Sequence, residues 1–307
     1  MQSGIVTRFA PSPTGWLHPG HALSAGIAAL HARAAGGRFL LRIEDIDTTR
    51  CRPEYSDAIL ADLAWLGLHW EQPVRRQSQH FAAYATALDD LKQRGLLYPC
   101  FCTRRQIQAE IAAAGGAPHG FDGALYPGTC RGLAESARQD RIAAGGNYAL
   151  RLDMAAACRQ VAGWPLRWQD GTAGPQAVTA DLLLAGFGDV VLARKDIPAS
   201  YHLCVTHDDA LQGITLVTRG QDLFPATHLH RLLQALFGWP VPAYAHHRLL
   251  ADESGERLAK RRGAASLRDL RMAGASPAAV WRQVGLDPAD MEKMAESVSR
   301  ETPRERS

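Results

Sequence analysis

Residues 5–47 read "IVTRFAPSPTGWLHPGHALSAGIAALHARAAGGRFLLRIEDID". Ile5 to Ala10 is a short, mostly apolar run closed by proline, which predicts a buried strand. Pro11, Pro13 and Gly15 then force a turn. From Pro19 to Ala35 the chain is alanine-rich, with Leu23, Ile27 and Leu30 on one helical face, and Gly36–Gly37 stops it. Proline suits the first helical position because its missing N–H is not needed there. Residues 38–43, "RFLLRI", predict a second strand with "EDID" at its carboxyl end. Strand, helix and strand in so short a span make a βαβ unit, hence a parallel sheet.

Working outward, Pro53 opens a helix with Ile59, Leu63 and Leu66 at helical spacing, and residues 80–94 predict another. Residues 97–175 break the alternation. They hold cysteines, an Ala/Gly/Pro-rich stretch from Ala112 to Gly123 and many turn signals, and read as an inserted subdomain. Alternation then resumes with a strand at 189–193, a helix over "SYHLCVTHDDAL", a strand at 214–220, a helix from Pro225 to Phe237, a strand over "HHRLLA" and a short helix from Ser276 to Val284. From about Ala289 the chain is polar and charged, and disorder is expected. The expected fold class is α/β, a doubly wound parallel sheet. Its first half would be 1–96, an insertion 97–175, its second half 176–250, a basic loop and helix 251–288, and a disordered tail 289–307. Such sheets bind ligands beyond the carboxyl ends of their strands, so 10–15, 44–47, 219–222 and 252–263 should converge on one crevice.

The chain has 307 residues, 46% hydrophobic and 21% charged, with a net charge of +3. No apolar run approaches the roughly 18–20 residues a membrane span needs, and the N-terminus lacks a signal-peptide layout. A cytoplasmic location is expected. The charge neither demands nor excludes nucleic acid. Arg75–Arg76 and Arg104–Arg105 read as solvated surface charge.

Three groups carry chemistry. His18 and His21 lie three apart at a helix start and so share a face. A helix N-terminus offers free N–H groups to an anion, and two imidazoles beside it would add donors for a phosphate. Lys260, in the glycine-flanked basic stretch "RLAKRRG", could reach a triphosphate. Cys100, Cys102 and Cys130 could supply three zinc ligands, and spacing alone offers His119 as the fourth. Disulfides are not expected in a reducing compartment.

In "RFAPSPTGWLHPGH", "LLRIEDIDTTR", "YHLCVTHDDALQGITLVTRGQDL" and "RLAKRR", the chain resembles the class I aminoacyl-tRNA synthetases of the glutamyl type. The resemblance implies a Rossmann catalytic domain with an inserted zinc-binding subdomain, and adenylation of an amino acid by ATP with Mg²⁺. It makes His18-Pro19-Gly20-His21 the HIGH-like signature and Arg257 to Arg261 a degraded KMSKS-like one, with Lys260 retained and the serine replaced by Ala259. His18, Gly20, His21 and Lys260 would bind ATP, and His18, His21 and Lys260 would act in catalysis. Arg8, Ala10 and Ser12 would line the glutamate pocket, Glu44 would receive the substrate ammonium, and Tyr201 and Arg219 would select the side chain. A guanidinium holds a carboxylate bidentately but an amide at one atom only. A charged hydrogen bond is worth about 1.5–3 kcal/mol net, enough for a tens-fold preference for Glu over Gln. The family pattern matches "YPGTC", making Tyr126 rather than His119 the fourth zinc ligand.

Residues 261–307 are too few for the anticodon-binding domain of a full glutamyl-tRNA synthetase, since a separate domain usually needs about 100 residues. Val205 also replaces an asparagine of those enzymes. Both features resemble the short glutamyl-queuosine tRNA(Asp) synthetase family. That implies tRNA-independent activation of L-glutamate and its transfer to queuosine in the anticodon of tRNA(Asp). The alternatives are acylation of the 3′ end of tRNA(Glu) and a non-catalytic RNA-binding role.

Overall fold

The computed structural model describes residues 4–113, 119–121, 123–250 and 265–301. Strand Val6–Phe9 pairs in parallel with Arg38–Ile43, from Val6 opposite Arg38 to Phe9 opposite Leu41. Arg38–Ile43 pairs in parallel with Glu71–Arg76. The expected βαβ unit is therefore present, with helix Pro19–Ala34 as its crossover.

On the other side of Val6–Phe9 lies Leu216–Gly220, joined to it where Thr215 N–H donates to the Val6 carbonyl at 3.0 Å. Leu216–Gly220 runs parallel to Ala243–His247, which meets Leu166–Asp170 at Tyr244 opposite Asp170. The chain thus builds outward from Val6–Phe9 on one side, then starts again beside it on the other. That reversal is the switch point at which a doubly wound sheet opens a crevice. Side chains alternate across the sheet. Val6 and Leu40 join one buried cluster with Tyr84, Leu203, Val217 and Leu229. Phe9, Leu41 and Ile43 join another with Leu63 and Trp281. Apolar cover on both faces is what a parallel sheet requires.

Several expectations change. Val191–Arg194 is a strand, but it pairs antiparallel with Ala149–Leu152, which pairs antiparallel with Leu97–Cys100. It belongs to the insertion's own sheet, because an apolar run signals burial without naming its partner. Conversely, the hairpin Leu166–Asp170 and Gly174–Val178, half inside the expected insertion, extends the parallel sheet. Glu71–Arg76 was unforeseen: "EQPVRR" is polar and carries a proline, which edge positions tolerate. The last strand occupies Ala243–His247 rather than 246–251. Arg75 is not solvated. Its side chain is 13% exposed and pairs with the buried Asp208 at 3.0 Å. Arg104 and Arg105 are exposed as expected.

The expected disordered tail 289–307 is helical as far as residue 301, and residues 302–307 lie outside the described residues. Residues 288–301 form helix Pro288–Glu301, with Met291 and Met294 buried. Two methionines three apart supply the apolar stripe that the surrounding charge obscured. They pack with Trp281 from helix Pro277–Val284 and with the alanine face of Pro19–Ala34. Gly26 permits this approach: a Cβ there would lie 2.5 Å from Leu286 Cδ1 and 3.0 Å from Trp281 Cζ3. Among the described residues no helix is long and apolar enough to cross a membrane.

Trp281 is fully buried at this junction. Trp281→Ala should cost about 3–5 kcal/mol of unfolding free energy, seen as a lower urea midpoint at unchanged slope. A loss below about 1 kcal/mol would show that the C-terminal helices are not integral to the core.

Candidate active site

A cavity of about 650 Å³ opens at the switch point. It is lined by Arg8, Ala10, Ser12, His18, Gly20, His21, Glu44, Tyr201 and Arg219. Residues chosen from distant parts of the sequence thus line one cavity, as convergence of the strand ends requires. Val205 lines it as well. Lys260 and the rest of its loop lie outside the described residues.

His18 and His21 cap their own helix. The Gly20 N–H donates to His18 Nδ1 at 3.1 Å, and the His18 N–H donates to His21 Nδ1 at 3.1 Å. The N–H groups of His21 and Ala22 donate to the His18 carbonyl at 2.8 and 3.3 Å. The open, anion-ready N–H groups expected of this helix start are therefore already bonded. Yet both Nδ1 atoms accept, so a neutral ring must carry its proton on Nε2. Burial lowers the pKa of His18. Burial and the neighbouring His18 push that of His21 down to about 3. The pair, with ring centroids 3.8 Å apart, thus brings two neutral Nε2–H donors to the cavity.

Behind the cavity lies a buried charge network. Arg8 forks onto Asp209, Nε to Oδ1 at 2.9 Å and Nη2 to Oδ2 at 3.2 Å. Arg42 Nη2 reaches the same Asp209 Oδ1 at 2.8 Å and Glu44 Oε1 at 3.2 Å. Burial raises the Asp209 pKa, but the two guanidiniums outweigh it and hold the carboxyl below its usual range. Burial raises Glu44 above its usual range against the pull of Arg42 and Arg8. Asp209 and Arg42 escaped sequence reasoning. The available signal was an arginine inside the apolar strand "LLRI", which needs an acidic partner.

Arg219 is 6% exposed, and among the described residues it is paired with no carboxylate. Its Nε donates to His246 Nε2 at 3.2 Å, Nη1 to His230 Nδ1 at 3.3 Å and Nη2 to the Thr227 hydroxyl. A guanidinium has five N–H bonds. Among the described residues two remain without a partner, one on each terminal nitrogen, the number that a carboxylate's two oxygens can take. His230 and His246 were also missed; nothing in "HLHRLL" or "AHHRLL" marks them.

A second cavity of about 360 Å³ shares Ser12, Thr14, Glu44 and Tyr201 with the first and extends to Asp47, Arg50 and Arg194. In the insertion, the sulfurs of Cys100, Cys102 and Cys130 lie within 4.8 Å of one another. The Tyr126 hydroxyl is 3.4 Å from Cys100 Sγ and 3.6 Å from Cys102 Sγ. Burial opposes ionisation of Cys130, but the Phe101 N–H and the Tyr126 hydroxyl outweigh it and keep that thiol low. Three convergent sulfurs with a phenol oxygen beside them are a fitting donor set for a tetrahedral divalent cation.

The family model of tRNA synthetases class I (E and Q), catalytic domain, matches residues 4–306. The chain is 50% identical over 285 residues to the Glutamyl-Q tRNA(Asp) synthetase of Rhodobacter capsulatus, spanning 92% of this chain and 100% of that protein. It is 37% identical to the Glutamate–tRNA ligase of Aquifex aeolicus over 92% of its own length but 57% of the ligase. A crystal structure of a glutamate tRNA ligase from Elizabethkingia meningosepticum in complex with its amino acid superposes with a TM-score of 0.68 at 27% identity. That match spans 95% of this chain and 60% of the ligase chain.

The neutral histidines set a pH test. The folded pKa of His21 is depressed to about 3, whereas the unfolded chain takes up the proton near the ordinary value of about 6.5. Between these values the unfolded state binds more protons, so stability is lost as pH falls. His21→Asn keeps an acceptor in the Nδ1 position but cannot titrate. From pH 7 to pH 5 the wild type should lose up to about 2 kcal/mol more than this variant, measured by urea unfolding. Equal losses would refute a buried neutral His21.

Proposed function

The chain belongs to the class I tRNA synthetases (E and Q) and groups with the Glutamyl-Q tRNA(Asp) synthetases, and from that membership we propose that it activates L-glutamate with ATP and transfers it to queuosine in the anticodon of tRNA(Asp). The observation that carries the glutamate assignment is Arg219: a buried cation lining the cavity, with neutral partners and, among the described residues, two unspent N–H groups.

In this reading the side-chain carboxylate of glutamate takes the Arg219 fork, with Tyr201 beside it, and the ammonium faces Glu44. Arg8, Ala10 and Ser12 line that end of the cavity. The α-carboxylate oxygen attacks the α-phosphorus of ATP, and the bond to the β-phosphate oxygen breaks with release of pyrophosphate. His18 and His21 donate from Nε2 to the phosphates, and Gly20 lets the nucleotide approach. Neutral donors fixed by backbone bonds need no reorganisation as charge develops. Lys260 is assigned to the polyphosphate, which would enter with Mg²⁺. Queuosine then attacks the acyl carbon and AMP leaves. The second cavity, which meets the first at Glu44 and Tyr201, is a fitting approach for that base. ATP, glutamate and tRNA share the cytoplasm, the location this reading implies.

Cys100, Cys102, Cys130 and Tyr126 would hold one structural Zn²⁺, pinning the start of the insertion to the loop that carries Cys130. Purified protein should contain about one equivalent of zinc and Cys130→Ser much less. Below about 0.2 equivalents in wild type, the zinc assignment fails.

The activity test supplies labelled glutamate and ATP with queuosine-containing tRNA(Asp), queuosine-free tRNA(Asp) or tRNA(Glu). Only the first should be labelled, and the label should survive removal of the 3′ end. Equal labelling of both tRNA(Asp) samples, or of tRNA(Glu), would overturn the proposal. In pyrophosphate exchange, Arg219→Gln should raise the glutamate KM tens-fold or more while leaving the ATP KM within about twofold.

A further inference from the structure

Arg219 reaches the cavity from the end of a hydrogen-bonded chain. Its Nε–H donates to His246 Nε2 at 3.2 Å. Arginine cannot accept, so His246 Nε2 must be unprotonated, and the neutral ring carries its proton on Nδ1. That proton points at Asp170 Oδ2, 2.7 Å away. Asp170 Oδ1 is held by the Thr172 and Ala173 N–H groups at 2.9 and 2.8 Å. The His246 and Asp170 side chains are 3% and 1% exposed, so each relies on the other rather than on bulk water. The ring is also held flat, stacked on Tyr244 with an interplanar angle of 4°. Burial keeps His246 neutral, with a pKa down to about 4, despite the nearby carboxylate.

We infer that Asp170 and His246 are positioning residues for glutamate recognition: Asp170 fixes the tautomer of His246, and that tautomer fixes the plane of the Arg219 fork. The inference rests on the reading of Arg219 as the glutamate side-chain receptor. Asp170 comes from the hairpin 166–178, so a segment remote from the cavity wall sets the aim of its selecting residue. Substituting asparagine at 170 keeps the Oδ1 acceptor for the turn but turns an N–H₂ toward His246 Nδ1. The ring must then carry its proton on Nε2, against Arg219 Nε–H. Two donors would face each other, with only the Thr227 hydroxyl, 3.3 Å from Nε2, left to accept the ring proton, and the fork would turn away. Imposing the wrong tautomer through a neighbouring carboxylate-to-amide change is a recognised route to losing function.

The test is glutamate-dependent pyrophosphate exchange with the full chain, KM being read for glutamate and for ATP alongside thermal melting. Asp170→Asn should raise the glutamate KM about tenfold or more with the ATP KM within about twofold. His246→Gln, whose Oε1 can stand in for Nε2 without needing Asp170, should stay within about threefold of wild type. His246→Asn, too short to reach Arg219, should match Asp170→Asn, and it serves alone should Asp170→Asn not fold. In the His246→Gln background, Asp170→Asn should change the glutamate KM by less than about twofold. The inference is overturned if Asp170→Asn leaves the glutamate KM unchanged, raises both KM values together, or acts additively with His246→Gln. A wild-type enzyme that exchanges pyrophosphate without requiring glutamate would instead sink the reading of Arg219 itself.

Discussion

Asp209 lies between two buried guanidiniums, and the rest of the site depends on that contact. It sits on helix Tyr201–Leu211 and receives Arg8 from one strand and Arg42 from the next. It thereby ties both strands of the βαβ unit to the second half of the sheet, across the switch point where backbone pairing is thinnest. Removing one partner from a buried pair typically costs about 3–5 kcal/mol, because the remaining charge is stranded. The same network pins Glu44 through Arg42, so the cavity's shape and its charge are set by one group of side chains.

Charge counting sharpens this. Among the described residues, Arg8 and Arg42 are balanced by Asp209 and Glu44, counted as ionised, and the charges of Arg248 and Asp222 on the cavity wall cancel. Arg219 is left over, buried among His230, His246 and Thr227. Glutamate carries two carboxylates and one ammonium, a net charge of −1, and would neutralise the cavity. The excess cation is therefore matched to the proposed substrate as a whole as well as to its side chain.

Much of this was legible in the sequence, and the limits have physical causes. The Arg8–His21 stretch announced its strand, turn and helix because proline and glycine act locally. The convergence of Ala10, Glu44 and Arg219 followed from their places at the carboxyl ends of predicted strands. Partnerships were not legible. Val191–Arg194 read as a strand, yet nothing in "DVVLA" says which sheet it joins. Met291 and Met294 were hidden by the charges around them, since composition averages over faces that a helix keeps separate. The neutral state of His18 and His21 depends on burial and on backbone bonds that exist only once the turn has closed. His119, offered by spacing for the zinc site, lies in the short strand His119–Gly120. Tyr126, which only the family pattern proposed, has its hydroxyl among the sulfurs.

The neutrality of the groups around Arg219 is itself a design constraint. A carboxylate partner would stabilise the empty site, but substrate would then have to displace it, and the binding energy would be spent on exchange. Histidine and threonine offer acceptors without charge. They satisfy three of the donors and fix the plane while leaving the positive charge uncompensated. The cost is a buried cation in the empty protein, which the Arg8–Asp209–Arg42–Glu44 network can bear because it fixes the surrounding backbone independently of the ligand. The same logic extends to the proposed phosphate donors His18 and His21, since neutral donors would meet phosphate without a permanent charge that would trap the product. One crevice would thus use neutral imidazoles in two ways: to hold a cation in place, and to bind an anion without themselves becoming charged.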